Sequence, residues 1–182
     1  RDRYMPGQFM THIMVSIIGG IILAFPYVFW EIWRFIKPAL HTGEKNYTKG
    51  IVFFTSLLFL TGVLFGYYII TPLSVNFFVS YNISSQVVNL PTLSTYISTV
   101  TTIILACGFV FELPIVVYFL SRVGLLSPEI LKKYRKHALV GALILSAIIT
   151  PPDVFSQFLV AIPILLLYEI SIIISRIVVR HY

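Results

Sequence analysis

Long apolar runs constrain this chain more than any other feature. They lie at about 13–33, 51–70, 96–120, 138–150 and 157–175. The first three hold about 20 to 25 residues each, enough at roughly 1.5 Å per residue to cross a hydrocarbon layer of about 30 Å. Hydrocarbon offers the backbone no hydrogen-bond partner, so a crossing segment must satisfy its own amides as a helix. The expected fold is therefore all-α: one polytopic membrane bundle over residues 1–182 with five visible transmembrane helices, the last two short. A run of 13 residues reaches only about 20 Å, so on length alone that pair could enter the membrane and return. Composition agrees, with 58% hydrophobic and 11% charged residues, against about 45–50% and about 25% in soluble domains.

The basic residues set the sidedness. The link at about 34–50 carries Arg34, Lys37, Lys45 and Lys49, and the link at about 121–137 carries Arg122, Lys132, Lys133, Arg135 and Lys136. The links at about 71–95 and 151–156 carry no Lys or Arg, and Arg176 and Arg180 follow the last run. Strict alternation reads as cytoplasmic against exterior. It also argues that both short runs cross, because a re-entrant pair would put the base-free 151–156 link on the basic side. Arg1 is then exterior and Tyr182 cytoplasmic. The opening Arg1-Asp2-Arg3-Tyr4 has neither an initiator Met nor a secretory leader, so the chain reads as a fragment whose beginning is missing, and a lost span upstream would return the N-terminus to the cytoplasm. The net charge of +6 is explained by topology and lipid headgroups, with no nucleic-acid partner.

Two links have shapes of their own. In ITPPDVFSQ, residues 149–157, Pro151 and Pro152 end the preceding helix at Thr150, and Asp153 and Ser156 can cap the next one. The 71–95 link has no charged residue and is expected to fold as an amphipathic cap over the outer mouth.

Carboxylates inside apolar runs need a reason, because a central one costs about 2.5–3.5 kcal/mol on insertion scales. Glu31 lies beside Arg34 and Glu169 precedes Arg176, so interfacial pairing explains both. Glu112, in GFVFELP, is about 15 Å from Arg122 at helical rise. Pro114, two residues on, is expected to kink the span. A kinked span bearing an acid must face protein or a wet cavity. No catalytic constellation accompanies it. His12, His41, His137 and His181 are scattered without metal-ligand spacing, Cys107 is the only cysteine, and no P-loop or nucleophile elbow occurs. Neither an enzyme nor a bound metal or cofactor is expected.

In order and spacing, FPYVFWEIWRFIKPAL followed by Glu44 and Lys45, then LFLTGVLFGYYIITPL, GFVFELP, ITPPDVFSQ and AIPILLLYE resemble the TatC family, the multi-span receptor subunit of the twin-arginine protein translocase. The resemblance implies six spans with both termini cytoplasmic in a bacterial inner membrane, so that this chain lacks the N-terminal tip and first span. It implies transport of folded proteins driven by the proton-motive force. Implied partners are twin-arginine signal peptides, single-span TatA- and TatB-type proteins, and other TatC copies. Phe35, Pro38 and Glu44 occupy the positions of the family's signal-recognition motif. Glu44 suits that role because a carboxylate accepts a guanidinium fork that lysine cannot imitate. Glu112 matches the family's intramembrane glutamate. Glu31 stands where many relatives carry glutamine, and two carboxylates lining one polar pocket would repel each other. Thr150 and Gln157 would offer hydrogen bonds to a docked partner helix, at about 0.6–2 kcal/mol each, while Pro151, Pro152 and Asp153 fix the turn. The alternative reading is a proton-coupled small-molecule transporter using Glu31 and Glu112. Against it, there is no inverted repeat and no pair of matching Gly/Pro-broken helices. A structural scaffold with incidental acids is a third possibility.

Overall fold

The structure, a computed structural model, describes residues 5–36, 38, 48–80, 92–150 and 153–180. Among them every regular element is helical: α1 Met5–Ile36, α2 Thr48–Phe65, a π-helical stretch Gly66–Ile70, α3 Thr71–Ser80, α4 Leu93–Val110, α5 Leu113–Arg122, α6 Pro128–Lys133, α7 Arg135–Ile149 and α8 Val154–Arg180. Four helical segments are long and apolar enough to cross a membrane: Gly7–Phe35, Gly50–Ser80, Leu93–Arg122 and Val154–Arg180. Helix α7, with 15 residues, covers the fourth apolar run.

Two expectations about the links change. The second apolar run does not stop at residue 70: α2, the π-helical stretch and α3 form one path to Ser80, so residues 71–80 are not part of a cap. Pro72 has no N–H to give to a helix. A π-helical turn comes directly before it, and both the Thr71 backbone N–H and its hydroxyl (2.8 Å) donate to the Gly66 carbonyl, five residues back. A widened turn of this kind lets a helix pass a residue with no N–H to give. The rest of the expected cap, residues 81–91, lies outside the described residues. The last span is also not short. Helix α8 has 27 residues, starting directly after Asp153 and running beyond the apolar run to Arg180.

Helix α4 packs against both α1 and α2, and α8 against both α5 and α7. A three-ring cluster joins the first group. Phe25 of α1 stacks on Phe59 of α2 at 3.9 Å between centroids, and Phe109 of α4 meets them edge-on at 6.1 and 5.8 Å. One helical turn further each time, Phe29 and Trp33 pack on Phe119 of α5. Glycine makes the α2–α4 crossing close, with Gly62 facing the backbone of Cys107 and Gly108. The second group is joined by small hydroxyls. The buried Ser121 of α5 donates to Ser175 of α8 across 2.8 Å, a pairing that lets two backbones approach closely in lipid. Val117, Leu131 and Ile172 form a smaller core where α6 meets α5 and α8.

Candidate functional site

Glu112 stands where α4 gives way to α5, in a turn at Phe111–Glu112. Pro114 supplies no N–H to the carbonyl of Val110, and the Ile115 N–H turns to the Glu112 carbonyl at 3.0 Å, a tighter bond than α-helix makes. The expected kink is thus a true interruption. Glu112 is 8% exposed, and neither carboxyl oxygen has a hydrogen-bond partner among the described residues. A buried carboxyl without partners is costly.

Glu31 is placed differently. The face of α1 that packs on its neighbours carries Phe25, Phe29 and Trp33, spaced by four. Glu31 falls between Phe29 and Trp33 in sequence and so points the other way. It is exposed, with Arg34 3.9 Å away on the same helix, the interfacial pairing that the sequence suggested. The structure does not bring Glu31 and Glu112 into one pocket. Glu169 likewise takes an interfacial partner, bonding Arg135 across α7 and α8 at 2.9 Å.

At the same end of α1, Trp33 is buried while Phe35 is 87% exposed. Pro38 is also exposed. The helix is pinned through Trp33 and presents Phe35 on its opposite side. Glu44, the third residue of the expected recognition motif, lies outside the described residues.

On the C-terminal side of ITPPDVFSQ the expected helix cap is present. Asp153 caps α8, its carboxylate accepting from the Ser156 hydroxyl at 3.0 Å and the Ser156 N–H at 3.3 Å. Pro151 and Pro152 lie outside the described residues. Thr150 is buried, and its hydroxyl donates to the Ser146 carbonyl at 2.6 Å, so its lone pairs are what it can offer a partner. Gln157 is half-buried on the first turn of α8.

Thr150 also borders a cavity of about 360 Å³ lined by Ser98, Thr99 and Thr102 of α4, Phe78 of α3 and Ile148 of α7. The three α4 hydroxyls were missed in the sequence, although their spacing in LSTYISTVTT puts them on one helical face. Their signal is weak because Thr99 and Thr102 satisfy their own hydroxyls on the carbonyls of Thr95 and Ser98. Among the described residues no group of three His, Cys, Asp or Glu could hold a metal.

These features define a multi-pass α-helical membrane protein with an acid buried at a helix break. The family described as Sec-independent protein translocase protein (TatC) matches residues 3–163. The Sec-independent protein translocase protein TatC of Blattabacterium sp. subsp. Periplaneta americana is 47% identical over 175 residues, covering 96% of this chain and 66% of that protein. The namesake from Aquifex aeolicus is 42% identical over 170 residues, covering 92% and 70%. A crystal structure of the twin-arginine translocase receptor TatC in DDM superposes with a TM-score of 0.77 at 38% identity, covering 96% of this chain and 77% of that one. This chain belongs to the TatC family. It spans a little under two thirds of the first relatives it matches, at 66% and 64% of their lengths.

Proposed function

We propose that this chain is the core receptor of a twin-arginine translocation system. It binds twin-arginine signal peptides at its basic, cytoplasmic face. With TatA- and TatB-type single-span partners and further copies of itself, it exports folded proteins on the proton-motive force across a bacterial inner membrane. Helix α7 crosses with the four longer segments, Arg1 is exterior and Tyr182 cytoplasmic. The single observation that carries the reading is Glu112, a carboxyl buried without a partner at a helix break, in a chain whose relatives are named as translocase proteins. A group that contributes nothing to folding and is costly to bury is retained for what it does.

Within this reading the exposed Phe35 and Pro38 and the Glu44 carboxylate receive the signal, and Thr150 and Gln157 receive a partner helix. Acids are scarce on the basic side, where the links contribute only Glu44 and Glu129, so the attraction for a dibasic signal concentrates on few groups. Photo-crosslinking of a twin-arginine precursor tests it. Glu44→Ala is expected to lower capture by roughly tenfold to a hundredfold, the worth of a charge-assisted pair at about 1.5–3 kcal/mol. Changing both signal arginines to lysine should act in the same direction. Undiminished crosslinking to the Ala variant would remove Glu44 from the site. Solute flux in vesicles holding this chain alone would favour the transporter alternative.

A further inference from the structure

We propose that the elbow between α6 and α7 is a binding site for an anionic phospholipid, with Lys132, Lys133 and Lys136 holding the headgroup phosphate and Val140 and Ile144 guiding an acyl chain.

Helix α6 closes with the Tyr134 N–H donating to the Ile130 carbonyl at 3.1 Å, and α7 opens with the Ala138 N–H donating to the Tyr134 carbonyl at 2.9 Å, so the two helices meet at Tyr134. Within α7, positions four apart lie in line. One such row reads Lys136, Val140, Ile144, Ile148: a cation followed by three aliphatic side chains. All four are exposed, the aliphatic ones by 56%, 56% and 75%. Lys132 and Lys133, the last two residues of α6 just before the elbow, are also exposed. The row has the order of a phospholipid, charge at the interface and hydrocarbon below it.

The elbow is fixed in place. Leu131, on its inner side, is 6% exposed and packs with Val117 and Ile172. The Tyr168 hydroxyl of α8 donates to the Leu131 carbonyl at 2.6 Å. Arg135, which points away from the row, is engaged by Glu169 at 2.9 Å. Among the described residues no carboxylate forms an ion pair with Lys132, Lys133 or Lys136. Three cations on a clamped scaffold thus face outward beside an apolar track.

Length supplies the second argument. Helix α7 has 15 residues, about 22 Å of rise against a hydrocarbon layer of roughly 30 Å. The bilayer beside it must thin, or its end residues must reach outward. Either way lipid phosphates come close to the first turn of α7, where Lys136 lies. Charge complementarity favours an anionic lipid over a zwitterionic one, and over a partner helix that would have to bury the three ammonium groups. A headgroup seated here would also offset part of the positive field on the basic face.

The test uses the purified full chain in detergent, titrated with phosphatidylglycerol or phosphatidylcholine and read by native mass spectrometry as lipid adducts. The unsubstituted chain should retain phosphatidylglycerol preferentially. The triple variant Lys132→Gln, Lys133→Gln, Lys136→Gln should bind it about tenfold or more weakly, as expected for three nearby cations. Lys→Arg at the same three positions should keep it. Arg34→Gln, Arg176→Gln, Arg180→Gln removes the same formal charge elsewhere and should change retention little. Equal loss in that control would mean diffuse attraction and overturn the site. Unchanged retention in the Lys→Gln variant, or equal retention of phosphatidylcholine, would overturn it too, the former being the result expected if a partner helix covers this face.

Discussion

Replacing Gly62 with alanine is expected to destabilise the bundle by about 1–3 kcal/mol, the range for forcing extra atoms into a well-packed contact, although alanine is the better helix former. A Cβ at position 62 would stand 2.6 Å from the Cys107 carbonyl oxygen, 2.9 Å from the Gly108 Cα and 2.9 Å from the Phe111 Cβ. None of the three can swing aside, because all belong to the main chain of α4 or its cap or sit one bond from it. The helices themselves must separate. Separation would disturb the stacked Phe25 and Phe59 rings and the Phe65–Phe111 contact at 5.5 Å. It would also move Phe111, the residue before Glu112, so the damage reaches the buried acid. Gly141→Ala is the control, since a Cβ there meets nothing within 4 Å. Thermal unfolding in one detergent should show a clear drop for Gly62→Ala and none for Gly141→Ala. Equal melting of the two would show that the crossing yields more easily than its distances imply.

That crossing marks where sequence reading stopped short. Gly62 and Gly66 are spaced as in a Gly-x-x-x-Gly pair within an apolar segment, a pattern that lets helices approach. The pattern could be read from the sequence, but its mate, Gly108 of α4, could not, because no local spacing ties residues 46 apart. The apolar runs located the four long helical segments, since a hydrophobic stretch in lipid has only one local solution. Helix ends were less legible. The second run was closed at residue 70 because the sequence does not show the π-helical turn that carries the helix past Pro72. The start of α8 was legible because Asp153 and Ser156 act within four residues of each other. Glu112 stood out through cost alone, whereas Glu31 was paired with it only by the idea of a shared pocket. The row of aromatics on α1 separates them: Phe25, Phe29 and Trp33 take the inward face and leave Glu31 outside.

Glu112→Leu is expected to raise stability and abolish transport together. Leucine resembles glutamate in bulk, so the space is filled, and removing an acid buried without partners should raise stability by about 1–3 kcal/mol. Had the carboxyl been held by a donor, removing it would orphan that donor and stability would fall. No described residue donates to either oxygen, so the sign is positive. The turn at Phe111–Glu112 should survive, because Pro114 causes it and not the acid. On the proposed receptor reading, transport is predicted to fail because the apolar side chain removes the polar group that the buried break would present to an incoming segment. Glu112→Gln keeps the shape and most of the hydrogen-bonding capacity, and should retain partial export. Melting temperature and export of a folded twin-arginine reporter, measured on the same variants, should therefore move in opposite directions. A leucine variant that melts lower and exports normally would make Glu112 a structural residue, and the proposed receptor mechanism would lose the observation that carries it.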